Sequence, residues 1–194
     1  MKYKTKRKSH DTGFTLIEMI VTVAIVAILS SMAAPSFRGM LENNRATAVA
    51  NELVSGLLLA RSEALKRRNN VTLCTSTDQT ACAGNGEKNF SKGWIVFQDC
   101  NKNQMLDLAP VDCGNAAPQL EAIIKAQAGS DKMEVNKNGP AADQHFFTYN
   151  FTGRSDLAIT FDVKKSGSST VLKEITIART GRIKSVTCHA GTCP

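Results

Sequence analysis

Apolar residues fill one long stretch near the start of the chain almost without interruption. From Phe14 to Phe37 the only charged residue is Glu18. In a helix this segment would rise about 36 Å, at roughly 1.5 Å per residue, whereas the hydrocarbon core of a bilayer is about 30 Å thick. The pattern predicts a hydrophobic helix over residues 14–37 that can span a membrane.

The pattern becomes amphipathic at Arg38. Apolar residues then recur every three or four positions, which is the period of a helix with one buried face. These positions are Val49, Leu53, Leu57, Ala60 and Ala64. We therefore predict one helix from near Phe14 to near Lys66, kinked at Pro35, whose amphipathic second half, residues 38–68, packs on a head domain.

Short β-branched runs separated by turns follow the helix. They lie at residues 71–75, 93–97, 120–126, 132–136, 145–151, 157–163, 171–178 and 182–187. The run at 120–126 fits a helical turn equally well. A helix followed by a series of strands predicts an α+β fold, in which the long N-terminal helix packs on an antiparallel β-sheet in a head formed by residues 69–194.

Charge and cysteine usage narrow the possible functions. The formal net charge is +7, but +4 of it falls in the first 13 residues, so the whole-chain charge is weak support for nucleic-acid binding. All the cysteines follow the apolar segment, which is typical of an oxidising compartment. They are Cys74, Cys82, Cys100, Cys113, Cys188 and Cys193. Sequence alone does not select their pairing, although nearest neighbours would each close a short loop; no C-x-x-C pair favours a metal site.

One loop imitates the start of a calcium-binding loop. Asp99, Asn101, Asn103 and Asp107 place oxygen atoms at alternate positions. However, Gln104 stands where such a loop needs glycine, and Pro110 stands where it needs a bidentate glutamate. We favour an Asx-rich turn closed by Cys100 and Cys113 over a calcium site.

The sequence contains no recognisable catalytic set. The three histidines are scattered at His10, His145 and His189, and no metalloprotease, nucleophile-elbow or phosphate-loop motif is present. His145 is most simply a partly buried strand residue. We expect a protein that is not an enzyme and has no cofactor.

The boundary before the apolar segment differs from that of a secretory signal. A basic segment ends at Gly13, and no convincing cleavage site follows the apolar run. An ordinary signal anchor would leave Glu18 unexplained, because a carboxylate in a membrane helix is costly and usually has a partner. Cleavage between Gly13 and Phe14 would create an α-amino group that could neutralise Glu18 of a neighbouring subunit.

Residues Gly13 to Glu18, G-F-T-L-I-E, and the apolar run up to Pro35 resemble the class III leader of type IV pilins and type II secretion pseudopilins. The resemblance implies that prepilin peptidase removes residues 1–13 and methylates Phe14, and that Glu18 supports assembly. It also implies a single-pass protein of the bacterial inner membrane with its head in the periplasm. Its partners would then be other major and minor pilins or pseudopilins and the inner-membrane assembly platform.

Four features of the head resemble the GspH/FimT branch of minor pilins and pseudopilins. They lie at Ala60–Cys74, Gly93–Asn101, Phe151–Arg154 and Thr180–Lys184. The resemblance implies a minor type IV pilin that primes assembly at the pilus tip. The alternative is a minor pseudopilin of a type II secretion system.

A third function, DNA binding for uptake, depends on the last of these features. Some FimT-like subunits are understood to bind DNA through G-R-x-R. Residues 181–184, G-R-I-K, match three of its four positions: Gly181 and Arg182 fit, and Lys184 replaces the last arginine. Together with Arg179 they could neutralise phosphates, although Lys184 lacks the bidentate fork of arginine. A solvated hairpin turn is the favoured alternative, and we interpret Arg154 as part of a structural turn.

Overall fold

The computed structural model describes residues 13–114, 118–138, 144–189 and 191–194, except for the side chains of residues 32–36 and 85. The predicted leader, residues 1–13, therefore lies outside these residues apart from Gly13. The chain divides into two compact units, Met1–Leu41 and Glu42–Pro194, each of which is described by itself.

One helix, α1, runs from Leu16 to Arg67. It begins where the Thr15 hydroxyl accepts a hydrogen bond from the Glu18 backbone N–H, at 3.3 Å. It ends before Arg68, whose φ of 52° is left-handed and incompatible with a further helical turn. The prediction of one long helix is confirmed. The predicted kink concerns Pro35, whose side chain lies outside the described residues, and it stays a prediction.

In the first unit, apolar side chains of α1 are exposed all around the helix, including Leu16 at 79%, Met19 at 68% and Val26 at 61%. Within the part of the chain that the structure describes, no helix is long and apolar enough to cross a membrane. The predicted span over residues 14–37 includes side chains outside that part.

Among its described residues, the second unit has eight strands. They are β1 (Asn70–Thr75), β2 (Gly93–Asp99), β3 (Ile123–Ala128), β4 (Met133–Asn138), β5 (Phe146–Tyr149), β6 (Ile159–Lys165), β7 (Val171–Ile177) and β8 (Ile183–Thr187). Two short 3-10 helices, Gly84–Gly86 and Phe90–Lys92, precede β2. Every predicted strand is present, and the ambiguous run at 120–126 contributes to a strand, β3.

The strands form two four-stranded sheets, with the orders β3-β2-β1-β5 and β4-β6-β7-β8. All neighbouring strands are antiparallel, as predicted. The division into two sheets was not predicted. It leaves β8, which contains Lys184 and follows the other predicted DNA-binding residues, at the edge of the second sheet.

Both sheets and the second half of α1 contribute to one hydrophobic core. The buried face of α1 is rich in alanine, and its members are at most 1% exposed: Ala46, Ala50, Leu53, Leu57, Ala60 and Ala64. Small side chains allow the helix to approach the sheets closely. The closest approach is at Gly56, where an added Cβ would lie 2.4 Å from the ring of Trp94.

Three disulfides join the nearest-neighbour cysteines: Cys74–Cys82, Cys100–Cys113 and Cys188–Cys193. They close loops with sequence separations of 8, 13 and 5. Every cysteine of the chain is therefore in a bridge, which agrees with the predicted oxidising compartment.

Candidate assembly and anion-binding sites

The residues predicted to be processed lie just before α1. Gly13 and Phe14 are both exposed and precede α1. A Cβ added to Gly13 would have no neighbour within 4 Å, so packing among the described residues does not require glycine there. The predicted processing would explain glycine in another way, through a peptidase that accepts only a small residue before the cleaved bond.

Glu18 lies in the first turn of α1, where a negative charge is favourable because the helix dipole is positive there. Thr15 and Glu18 have the T-x-x-E spacing of a capping box, and the Thr15 half of that box is present. The Glu18 side chain is exposed. Its role in assembly stays a prediction.

A second candidate site forms where three of the family-like sequence features meet. Arg61, on α1, donates from Nε to the carbonyl oxygen of Gly153 and from Nη2 to the carbonyl oxygen of Thr180, both at 3.0 Å. One guanidinium therefore connects the helix to the turn between β5 and β6 and to the turn between β7 and β8. This role of Arg61 was not predicted from the sequence.

The two turns also contact each other directly. The Ser155 N–H donates to the carbonyl oxygen of Arg179 at 3.1 Å. Gly181 is buried and has a φ of +78°, and an added Cβ would lie 2.0 Å from the carbonyl oxygen of Gly153. Gly181 was predicted as a DNA-binding residue; in the structure it allows the two turns to pack together.

Cations surround this contact. The side chains of Arg154, Arg179, Arg182 and Lys184 are all exposed. None of them forms an ion pair among the described residues. Arg154 does lie in a structural turn, in which the Gly153 N–H donates to the Asn150 carbonyl at 2.8 Å. Arg154 belongs to one of the two turns, Arg179 and Arg182 belong to the other, and Lys184 belongs to β8. The two turns are therefore a candidate site for an anion.

The loop that imitates a calcium site is an Asx-rich turn. The side-chain oxygens of Asn101 and Asn103 accept backbone N–H groups two residues ahead, and their amides both donate to Asp107 Oδ2 at 2.7 Å. Within the described residues, no group of three or more His, Cys, Asp or Glu side chains could hold a metal ion.

Two buried carboxylates, Asp99 and Glu121, accept hydrogen bonds from the backbone of this loop. Asp99 accepts from the Thr72 hydroxyl and the Gln104 N–H, and Glu121 accepts from the N–H groups of Cys100 and Asp107. Burial raises the pKa of both carboxyl groups. These hydrogen bonds order the loop from within and give Asp99 a structural role.

A sequence model described as type II transport protein GspH matches residues 49–181, which is more than half of the chain. The chain belongs to the GspH family. A second model, the prokaryotic N-terminal methylation motif, matches residues 8–34 of this GspH-family chain.

Two kinds of known protein resemble this chain. A type IV major alpha-pilin and fimbrial protein Q, both from Moraxella bovis, are each 39% identical over 44 residues, or 23% of this chain. That match spans only 28% of the length of either relative. Two crystal structures of the type IV minor pilin FimU from Pseudomonas aeruginosa share the fold, at 18% identity and TM-scores of 0.52 and 0.50. They cover 79% and 76% of this chain, and 95% and 96% of their own chains.

The fold is therefore the α+β fold of type IV pilins, and the protein is a type IV minor pilin or pseudopilin of the GspH/FimT family. Such families consist of structural subunits that interact with other pilins in a fibre. The methylation motif and the family together indicate a membrane-anchored pilin with a separate head.

Proposed function

We propose that this chain is a minor type IV pilin that primes pilus assembly at the tip. The observation that carries the proposal is the methylation motif at residues 8–34, which overlaps the first half of α1, where apolar side chains are exposed on every face. A helix that is apolar all around must be covered by lipid or by other helices. Before assembly the inner membrane surrounds these apolar side chains, and afterwards the helices of neighbouring pilins pack against them.

Prepilin peptidase acts first in this proposal. It cleaves between Gly13 and Phe14, both exposed, and methylates the new N-terminus of Phe14. The head then lies in the periplasm, which is oxidising enough to maintain the three disulfides. The inner-membrane assembly platform next transfers the subunit into the fibre.

Glu18 sets the position of the subunit in the fibre. In the apolar environment of packed helices its carboxylate needs a cationic partner, because an isolated charge there is costly. The α-amino group of a neighbouring subunit, four residues from that subunit's own Glu18, supplies this charge. Pairing of the two then favours a single axial register.

Two variants test processing and assembly separately. Gly13→Val should keep the full-length mass and never enter the fibre, because the residue before the scissile bond no longer fits the peptidase. Glu18→Gln should be cleaved and methylated normally but should be missing from purified pili. Intact-mass spectrometry of membranes and immunoblots of sheared pili measure both. A mature, methylated N-terminus in the Gly13→Val protein would rule out this processing route.

The family description favours a second candidate, a minor pseudopilin of a type II secretion system. The two candidates share processing and fold but differ in the fibre that they prime. Deletion of the gene should abolish surface pili while protein secretion continues. Loss of secretion with normal pili would favour the pseudopilin instead.

The cluster of exposed cations at the two turns favours a third candidate, DNA binding for uptake. Arg182 and Lys184 would contact phosphates without reading bases. The full-length chain in zwitterionic detergent should bind duplex DNA at low salt, and the double variant Arg182→Gln/Lys184→Gln should bind less tightly. Unchanged binding by the double variant would contradict this candidate.

A further inference from the structure

We propose that the turns carrying Arg154 and Arg182 form one phosphate-binding surface for duplex DNA, and that Arg61 is the positioning residue that holds the two turns together. The proposal rests on the DNA-binding candidate above. It adds one contact residue and one positioning residue that the G-R-x-R resemblance does not include.

Arg61 is suited to connect two turns because its guanidinium is planar and offers several donors in a rigid fork. Two of these donors are used on two different turns, on the carbonyl oxygens of Gly153 and Thr180 at 3.0 Å. These carbonyls lie one residue before Arg154 and two residues before Arg182. A lysine at position 61 would keep the charge but could not reproduce the fork.

The contact between the turns is too close to allow independent movement. The Ser155 N–H donates to the Arg179 carbonyl oxygen, which joins one turn to the other. In addition, a Cβ added to Gly181 would lie only 2.9 Å from Arg61 Nε. Each turn therefore packs on the other and on the same guanidinium. The backbone of the two turns is therefore held together before any ligand arrives, which reduces the entropy lost on binding.

The local charge favours an anion. Arg154, Arg179 and Arg182 are exposed, and no described carboxylate neutralises them in an ion pair. Arg61 adds a fourth positive charge beneath the turns. Asp156 is the one carboxylate in the two turns, residues 150–158 and 178–182, and it too is outside any described ion pair. An extended polyanion with regularly spaced phosphates matches such a surface better than a single small anion does.

Three single variants of the full-length chain separate the roles. Arg154→Gln removes a contact, Arg61→Lys removes the fork while keeping the charge, and Lys132→Gln removes an exposed cation on another loop as the matched control. Duplex DNA affinity is measured by fluorescence anisotropy across a salt series. Hydrogen–deuterium exchange of the two turns and thermal unfolding are measured on the same samples.

The expected results differ in kind. Arg154→Gln should weaken binding and reduce the slope of log affinity against log salt by about 1, the value for one phosphate contact. Arg61→Lys should weaken binding by about fivefold, equivalent to one hydrogen bond, leave the salt slope unchanged and increase exchange in both turns. Lys132→Gln should match the wild type in all three measurements.

Several outcomes would overturn the proposal in distinguishable ways. If the wild type does not bind duplex DNA at low salt, the DNA candidate and this proposal both fail. If the wild type binds but Arg154→Gln retains its full salt slope, the two turns do not form one surface. If Arg61→Lys increases exchange but leaves the affinity unchanged, Arg61 is a stabilising residue only; if it reduces the salt slope, Arg61 contacts phosphate itself.

Discussion

Lys137 is a lysine that points from β4 into the protein interior and is only 6% exposed. Its Nζ donates to the carbonyl oxygen of Phe146 at 2.6 Å and lies near Gln144 Oε1. Burial lowers the pKa of Lys137 from its ordinary 10.5 to about 8. The pKa of His145 is lowered as well, by burial first and by the charge of Lys137 second. The folded chain therefore holds the lysine proton less tightly than the unfolded chain does.

This difference predicts that stability rises with pH in the alkaline range. Below about pH 8 Lys137 is charged in both states, whereas between about pH 8 and 10.5 only the unfolded state keeps the proton. The free energy of unfolding should increase over that window by at most about 3 kcal/mol, at about 1.4 kcal/mol per pKa unit. Urea unfolding from pH 7 to 10 measures this increase.

Two variants in which methionine replaces a lysine test whether Lys137 causes this increase in stability. Lys137→Met should lose the alkaline increase, although it also leaves the Phe146 carbonyl without its donor and lowers stability at every pH. Lys132→Met, at an exposed position, should keep the increase. An equal pH dependence in both variants would show that another group is responsible.

At the scale of elements, α1 packs against the sheets through a face of small residues. Gly56 lies on this face and is buried against Trp94, a residue of β2 that is 3% exposed. Glycine within a helix costs about 1 kcal/mol relative to alanine, so its presence there requires a compensating gain. The close approach of the Trp94 ring is that gain.

Gly56→Ala should therefore destabilise the protein although alanine is the better helix former. An added Cβ would lie 2.4 Å from the Trp94 ring, and overpacking of a core costs about 1–3 kcal/mol. Gly39→Ala is the matched control, because it lies in the same helix with no atom within 4 Å of the added Cβ. Thermal unfolding should show a lower midpoint for Gly56→Ala and an unchanged or higher one for Gly39→Ala. A higher midpoint for both would mean that Trp94 moves away at little cost.

The same elements show which parts of the fold a sequence can predict. The predicted strand at 71–75 differs from β1 by one residue, because alternation of β-branched residues is a local signal. The division into two sheets depends on pairings between distant segments, such as Val71 with Tyr149, for which the chain carries no local signal. The single sheet assumed in the sequence analysis reflects that limit.

The same contrast between local signals and distant contacts applies to the candidate sites. Gly13 and Glu18 could be identified because their motif is contiguous and sits at a boundary between basic and apolar residues. Arg61 could not, since its partners Gly153 and Thr180 are 92 and 119 residues away along the chain. Arg61 is not among the apolar positions that predict the buried face of the helix, and the sequence pattern does not indicate what its side chain binds.

At the scale of the whole molecule, the three disulfides constrain three different regions of the head. Cys74–Cys82 begins in β1, Cys100–Cys113 closes the Asx-rich turn, and Cys188–Cys193 closes the tail after β8. In the chain-entropy model a bridge that closes a loop of this size contributes about 2–3 kcal/mol. Three such bridges together are comparable with the total stability of a typical domain, which is about 5–15 kcal/mol.

Reduction should therefore unfold the head or leave it marginally stable. We expect the reduced and alkylated chain to lose most of its cooperative urea transition, whereas the oxidised chain keeps it. Replacing only Cys188 and Cys193 with alanine, which opens the shortest loop, should cost less than replacing Cys74 and Cys82, because Cys74 is fully buried in β1. Identical transitions for oxidised and reduced protein would show that the core alone stabilises the fold. In that case the bridges would indicate the compartment in which the protein folds but would contribute little to its stability.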